Sequence, residues 1–303
     1  MAIFSTGAES ALLRPGLNAI YGSSYNRYPE EFAQVFNKEL SEMNVEIDQN
    51  MNGFGLAAVK PEGSSYTYAS MQQGWKQTYQ HITYGLGFII TAEAIEDNLY
   101  FKQSVKAAEK LGISMRATKE TVVANILNRS LNSSYTGADG LCLGSSAHLL
   151  GKGGTGSNIP TTNAALSETA LEQAMIDIGG FVDDANIKIA LQPLKLVIPR
   201  QLIMTADRIL DSEYQNDTAD NALNVLKAGK YLPGGRVLMH YLTSPTGWYV
   251  TTDCPDSLKY FERRAPRLDN DTDFTTDNMR FKVSERYSAG WSDWRGIYCV
   301  QGL

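Results

Sequence analysis

Cysteine is scarce. Cys142, Cys254 and Cys299 are the only three in 303 residues, odd in number and far apart. That excludes a disulfide framework and leaves reduced, buried thiols as the expectation. Histidine is equally scarce, at His81, His148 and His240. None stands at ligand spacing from a cysteine or glutamate, so no zinc motif can be drawn. No apolar run reaches the ~20 residues that span a bilayer, so no membrane partner is expected. The opening MAIFSTGAESALLRPG has neither a basic stretch nor a long apolar core, and no export leader is expected. Positive charge is in deficit, with 27 Lys and Arg against 33 Asp and Glu and a net charge of -6. Tight nucleic-acid binding by phosphate neutralisation needs the reverse. What remains is an ordinary folded composition, 43% hydrophobic and 20% charged. It is enough for one large domain or two moderate ones.

Catalytic signatures are missing too. Gly151-Lys152-Gly153-Gly154-Thr155-Gly156 has G-x-G-x-x-G spacing. Ser157, Asn158 and Pro160 come next, where a dinucleotide site needs a helix, so a loop is expected. Ser145, Ser146 and His148 are the residues a serine hydrolase would use. Gly144-Ser145-Ser146-Ala147 is not a nucleophile elbow, which leaves that activity a distant alternative. Asp269, Asp271 and Asp273 open like a calcium loop, but position six is Phe274 and position twelve Arg280. A solvated acidic turn is expected there. Asp183-Asp184 and Asp211/Glu213 read as surface carboxylates. No catalytic residue, cofactor or metal is assigned.

Patterning is informative. Residues 1–27 read as an extended arm, too apolar at Phe4, Leu12, Leu13, Leu17 and Ile20 for plain disorder. The arm is expected to dock on the body or on a neighbour. Pro29, Glu30 and Glu31 open a short helix with Phe32, Val35, Phe36 and Leu40 on one face. Residues 44–90 read as strands: Phe54 to Val59, a turn at Lys60-Pro61-Glu62-Gly63, Tyr66 to Tyr68, and Trp75 to Thr91. In the last run Lys76, Thr78 and Gln80 give way to Ile82, Tyr84, Leu86, Phe88 and Ile90. A ribbon without its own core thus runs into a buried base. Thr91 caps the next helix, and helical spacing from about Leu99 to Leu131 predicts a spine of roughly 45 Å, with a kink at Gly112. A Gly/Ser/Thr/Asn-rich stretch, 133–163, precedes a helix capped by Ser167 that bears Leu171, Met175, Ile178 and Val182. Strands are expected over 187–191, 194–198, 237–241, 248–251 and 258–261, and a helix over 201–210. Met279, Phe281, Val283 and Tyr287 then alternate with Arg280, Lys282, Ser284 and Arg286. A turn at Ala289-Gly290 comes after them, with Trp291 and Trp294 beside it. This aromatic end reads as a strand closing a domain begun much earlier. The class is α+β.

The order arm, ribbon, spine, central insertion and returning strand resembles the Hong Kong 97-type phage capsid fold. HITYGLGFIITAEAIEDNLY (81–100), RATKETVVANILNRS (116–130), IKIALQPLKLVIPRQL (187–202), LKYFERRAPRLDNDTD (258–273) and FKVSERYSAGWSDWRGIY (281–298) are similar to the major head subunit of Mu-like phages and prophages. The resemblance implies an N-terminal arm and short helix over 1–45 and an E-loop ribbon over 46–82 that lies on an adjacent subunit. It implies a P-domain with the spine over 83–137, an A-domain over 138–257, and returning P-domain strands over 258–303. It further implies a self-assembling major capsid protein, homo-oligomeric as hexamers and pentamers in an icosahedral shell around double-stranded DNA. Assembly would take place in the host bacterial cytoplasm, with separate scaffold and portal proteins and a decoration protein as an optional partner. An encapsulin-like compartment shell is the nearest alternative. Candidate subunit-interface residues are Phe54, Lys60, Glu62, Trp75 and Tyr79 on the ribbon and the basic cluster Arg263, Arg264 and Arg267. Aromatics at such sites act as anchors, and arginines pair with a neighbour's carboxylates. Packing within the ribbon stays open for Trp75 and Tyr79, and light contact with nucleic acid or a solvated charge group stays open for the arginines.

Overall fold

The computed structural model describes residues 17–96, 100–215 and 223–302. Its spine is helix α3, Tyr100–Asn128. Ala108, Leu111, Met115, Val123, Ala124 and Leu127 recur on one helical face and are all buried. The helix runs through Gly112 without the expected break. A Cβ at Gly112 would stand 2.9 Å from the Tyr21 carbonyl oxygen and 3.0 Å from the Tyr25 nitrogen. The glycine thus permits close approach of another element. That element is helix α1, residues 17–25, so this part of the expected extended arm is helical. Leu17, Tyr21 and Tyr25 stand one turn apart and bury against Leu111, Met115 and Phe281. Phe4, Leu12 and Leu13 lie outside the described residues.

The helix expected after Pro29 shrinks to a single 3-10 turn, Phe32–Gln34, followed by strand β1, Asn37–Leu40. Two forces outweigh its helical spacing. The Glu120 carboxylate accepts from the Glu31 and Phe32 nitrogens at 3.0 and 3.2 Å, and the Asn37–Leu40 backbone finds ladder partners in a sheet. Phe32 and Phe36 stay buried while Leu40 turns outward.

That sheet has the order β1-β10-β11-β4, with β4 at Ile82–Ile90, β10 at Leu258–Thr272 and β11 at Met279–Trp291. Tyr84 stacks on Tyr287 and Phe88 on Phe281, and Ile90 packs beside them half-buried. Ile82 and Leu86 stay exposed on this edge strand, so only part of the expected buried base is covered by the chain itself. At the end of β4, Thr91 Oγ1 accepts from the Ala94 nitrogen at 3.4 Å and caps the short helix α2, Ala92–Glu96. The expected acidic turn is mostly ladder: Asp269 faces Lys282 and Asp271 faces Arg280. The expected turn at Ala289-Gly290 is strand as well, paired to Tyr260 and Lys259.

A second sheet has the order β12-β9-β7-β8, with β7 at Pro193–Ile198, β8 at Arg236–Leu238, β9 at Trp248–Thr252 and β12 at Ile297–Val300. Helices α4 (Glu168–Gly179) and α5 (Ile203–Asp211) pack on it through Leu171, Ile178 and Ile209. The Ser167 hydroxyl caps α4 by accepting from the Ala170 nitrogen. The last residues therefore serve two sheets, β11 in the first and β12 in the second. Residues 187–191 form no strand, because Asn186 and Ala190 hold φ of 61° and 48°, and only a single bridge links Val182 to Lys188. The strand expected over 237–241 stops at Leu238, which puts His240 in a turn. Phe32, Leu127, Tyr249, Tyr260, Tyr287 and Ile297 share one core cluster, so α3 and both sheets pack together.

Candidate subunit-contact surface

The ribbon pairs β2, Val45–Asn52, with β3, Gln72–Gln80. Its root is locked to the body by polar groups. Asp48 accepts from Lys259 Nζ at 2.7 Å and from Ser292 Oγ at 2.6 Å. Lys259 also reaches Asp256 at 2.9 Å. Burial alone would disfavour its charge, but its hydrogen bonds to Asp48 and Asp256 hold the ammonium above its usual pKa. The Tyr79 hydroxyl donates to Ser292 Oγ at 2.5 Å, and its ring lies 5.0 Å from that of Phe261. Asn50 donates to Asp184 at 2.6 Å. Asp184 is no surface carboxylate: it is buried against Arg295 at 2.7 Å.

Beyond the root, residues 53–71 carry no regular structure, so the strands expected at 54–59 and 66–68 are absent. Phe54, Leu56, Val59, Tyr66 and Tyr68 are 53%, 85%, 93%, 69% and 91% exposed. A run of uncovered apolar side chains of this kind marks a contact surface. Lys60 Nζ lies 4.5 Å over the Tyr66 ring. Glu62 is exposed in a turn closed by the Ser64 nitrogen on the Pro61 carbonyl. Trp75 is 38% exposed and borders a cavity of about 240 Å3 with Asp48, Gln77, Pro255 and Asp256. Tyr79 is only 3% exposed and is covered by its own chain.

The arginines are separated by strand irregularities. Register shifts fall between Glu262 and Arg264 and between Arg264 and Arg267. Arg264 faces Arg286 across the ladder, and Arg267 lies 3.5 Å from Asp269. Sequence reasoning missed Lys259, Asp48, Ser292 and Arg286. A lysine inside the apolar run Leu258 to Phe261 was the one available signal. The place of Arg286 depends on two bulges that no period reveals.

The hydrolase arrangement is not formed. His148 is buried, with Nδ1 2.5 Å from Asp139 and Nε2 3.2 Å from the Leu143 carbonyl, so it faces no serine hydroxyl. Its ring stacks on Trp294 at 4.6 Å. Gly153 and Gly154, at φ of 93° and 95°, turn a small hairpin between β5 (His148–Leu149) and β6 (Thr155–Gly156), and no helix follows directly as a dinucleotide site requires. Among the described residues no cluster of metal-binding side chains occurs, and no helix is long and apolar enough to cross a membrane.

A long spine helix, a ribbon rooted beside it and two sheets sharing one core make the Hong Kong 97-type capsid fold, and comparison with solved structures agrees on that fold. The cyanophage P-SCSP1u capsid matches with a TM-score of 0.57 at 11% identity, over 90% of this chain and 88% of that one. The mature capsid of bacteriophage PhiM1 gives 0.57 at 11%, over 90% and 87%. A virus-like particle from Pyrococcus furiosus gives 0.54 at 13%, over 94% and 97%. The profile of the family described as phage capsid protein matches residues 75–300, and the chain belongs to that family. It is a major capsid protein, a structural subunit that assembles with further copies into the virion capsid. No curated protein sequence matches it.

Proposed function

We propose that the chain is the head subunit of a Mu-like phage or prophage. It closes as hexamers and pentamers into an icosahedral shell around double-stranded DNA in the host bacterial cytoplasm. Residues 46–82 serve as the E-loop, 83–137 and 258–303 as the P-domain, and 138–257 as the A-domain, with 1–45 as arm and entry segment. Separate scaffold and portal proteins, and a decoration protein where the phage has one, are the partners of this reading. Phe54, Lys60, Glu62 and Trp75, with Arg263, Arg264 and Arg267, face neighbouring copies. The observation that carries the reading is the uncovered apolar run from Phe54 to Tyr68, which a neighbouring copy would cover at every position of a shell. Gradient fractionation and electron microscopy of the expressed chain test it. Closed particles are expected. Persistent monomers under all assembly conditions overturn it, and particles holding protein cargo in place of DNA and a portal assign the chain to a compartment shell.

A further inference from the structure

The β10–β11 ladder sets Arg264 directly opposite Arg286. Like charges in that position destabilise a sheet, and the described residues offer this pair no anion. Arg264 Nη2 donates to Ser284 Oγ at 2.9 Å. Arg286 donates to Asn44 Oδ1 at 2.7 Å and to the His81 carbonyl at 3.4 Å. All three acceptors are neutral. Arg263, in the bulge beside them, has a buried Nε with no acceptor. His81 registers the excess: burial first, then the charges of Arg286 and Arg263, hold its imidazole below the usual pKa. Glu46, the nearby carboxylate on the ribbon, accepts from Ser41 Oγ at 2.6 Å instead.

We infer that Arg263, Arg264 and Arg286 form a receptor for a carboxylate presented by a second copy of this chain. Guanidinium groups suit bidentate capture of a carboxylate or a phosphate alike. Three features favour the carboxylate. Copies with a net charge of -6 present surplus carboxylates to one another. Farther along the same face Asp269 opposes Lys282 and Asp271 opposes Arg280, which cancels charge where a nucleic-acid track would continue. The receptor also adjoins the base of the ribbon through Asn44 and His81, where the ribbon leaves the body. The inference rests on the shell reading.

Its test uses the full chain carrying Arg264→Glu with Arg286→Glu, or the neutral pair Arg264→Gln with Arg286→Gln. The neutral pair relieves the internal repulsion. It is expected to melt no lower than the parent while its particle yield falls about ten-fold, the effect of one lost charge-assisted contact per interface. The charge reversal is expected to lower yield further. Retention of a short DNA duplex at low salt, read by fluorescence anisotropy, is expected to match the parent. Unchanged particle yield in both variants overturns the receptor. Normal particles that lose DNA retention also overturn it and make phosphate the anion. A parent chain that forms no particles sinks the shell reading itself, an outcome distinct from either.

Discussion

At the scale of single residues the costliest arrangement is the ion pair between Lys119 and Glu285. Its atoms lie 2.8 Å apart with side chains 2% and 0% exposed. Desolvating two charges costs several kcal/mol per ion, and geometry must repay it. Here Tyr25 donates to Glu285 Oε2 at 3.1 Å, and the ammonium lies 5.2 and 5.5 Å from the ring centroids of Tyr25 and Tyr287. Lys119→Ala strands a buried carboxylate and is expected to lose about 3–5 kcal/mol. Lys119→Met with Glu285→Leu removes both charges and is expected to unfold at or above the parent's urea midpoint. Equal losses in the single and double variants would mean that packing, not charge, dominates the site. Glu285 was half legible. It falls in phase with Met279, Phe281, Val283 and Tyr287, so a charge on the buried face was implied by alternation. Its partner was not, because nothing local ties a lysine of the spine to a carboxylate on the returning strand.

At the scale of elements the ribbon depends on its root. Two strands with little core between them are marginal in water, and this pair is fastened by Asp48, Lys259, Ser292 and Tyr79. Lys259→Ala removes the hydrogen bond to Asp48, worth about 1.5–3 kcal/mol, and the solvent-screened pair with Asp256, worth under about 1 kcal/mol. Amide exchange across 45–52 and 72–80 is expected to speed up by about ten-fold or more, with α3 unchanged. Uniform acceleration over the whole chain would show that Lys259 holds the body rather than the ribbon. Elements with a long, clean period were readable: α3, α4, β4 and the first half of β11. The failures share one cause. Phe32 and Phe36 fit a helical spacing, yet the carboxylate of Glu120 and a free sheet edge claim the backbone there. Ile187 to Leu191 looks like a strand, yet left-handed Asn186 and Ala190 break it. In each case a tertiary partner decides a conformation that local pattern leaves open. The division of the chain's end between two sheets was hidden for the same reason. The 3-10 turn Trp294–Gly296 that redirects it is too short to show a period.

At the scale of the whole molecule the relevant quantity is repetition. Leu56, Val59 and Tyr68 lie bare on the single chain, and covering each side chain contributes about 1.5–3 kcal/mol at most. One such contact is weak, but a closed shell repeats it around every subunit, so small changes are multiplied. Leu56→Asp with Tyr68→Asp touches no core residue and is expected to shift the unfolding free energy of the chain by under about 0.5 kcal/mol. Its effect belongs to the assembly: sedimentation velocity should find the variant as free subunits or small oligomers under conditions where the parent forms shells. An internal residue of similar size gives the converse. Tyr79, covered by its own chain, should on truncation to Ala lower the melting temperature first and assembly only as a consequence. If the double variant closes shells at the parent's level, the loop is not the subunit's main apolar contact. That role then passes to the edge strand β4, where Ile82, Leu86 and Ile89 are 55%, 47% and 58% exposed.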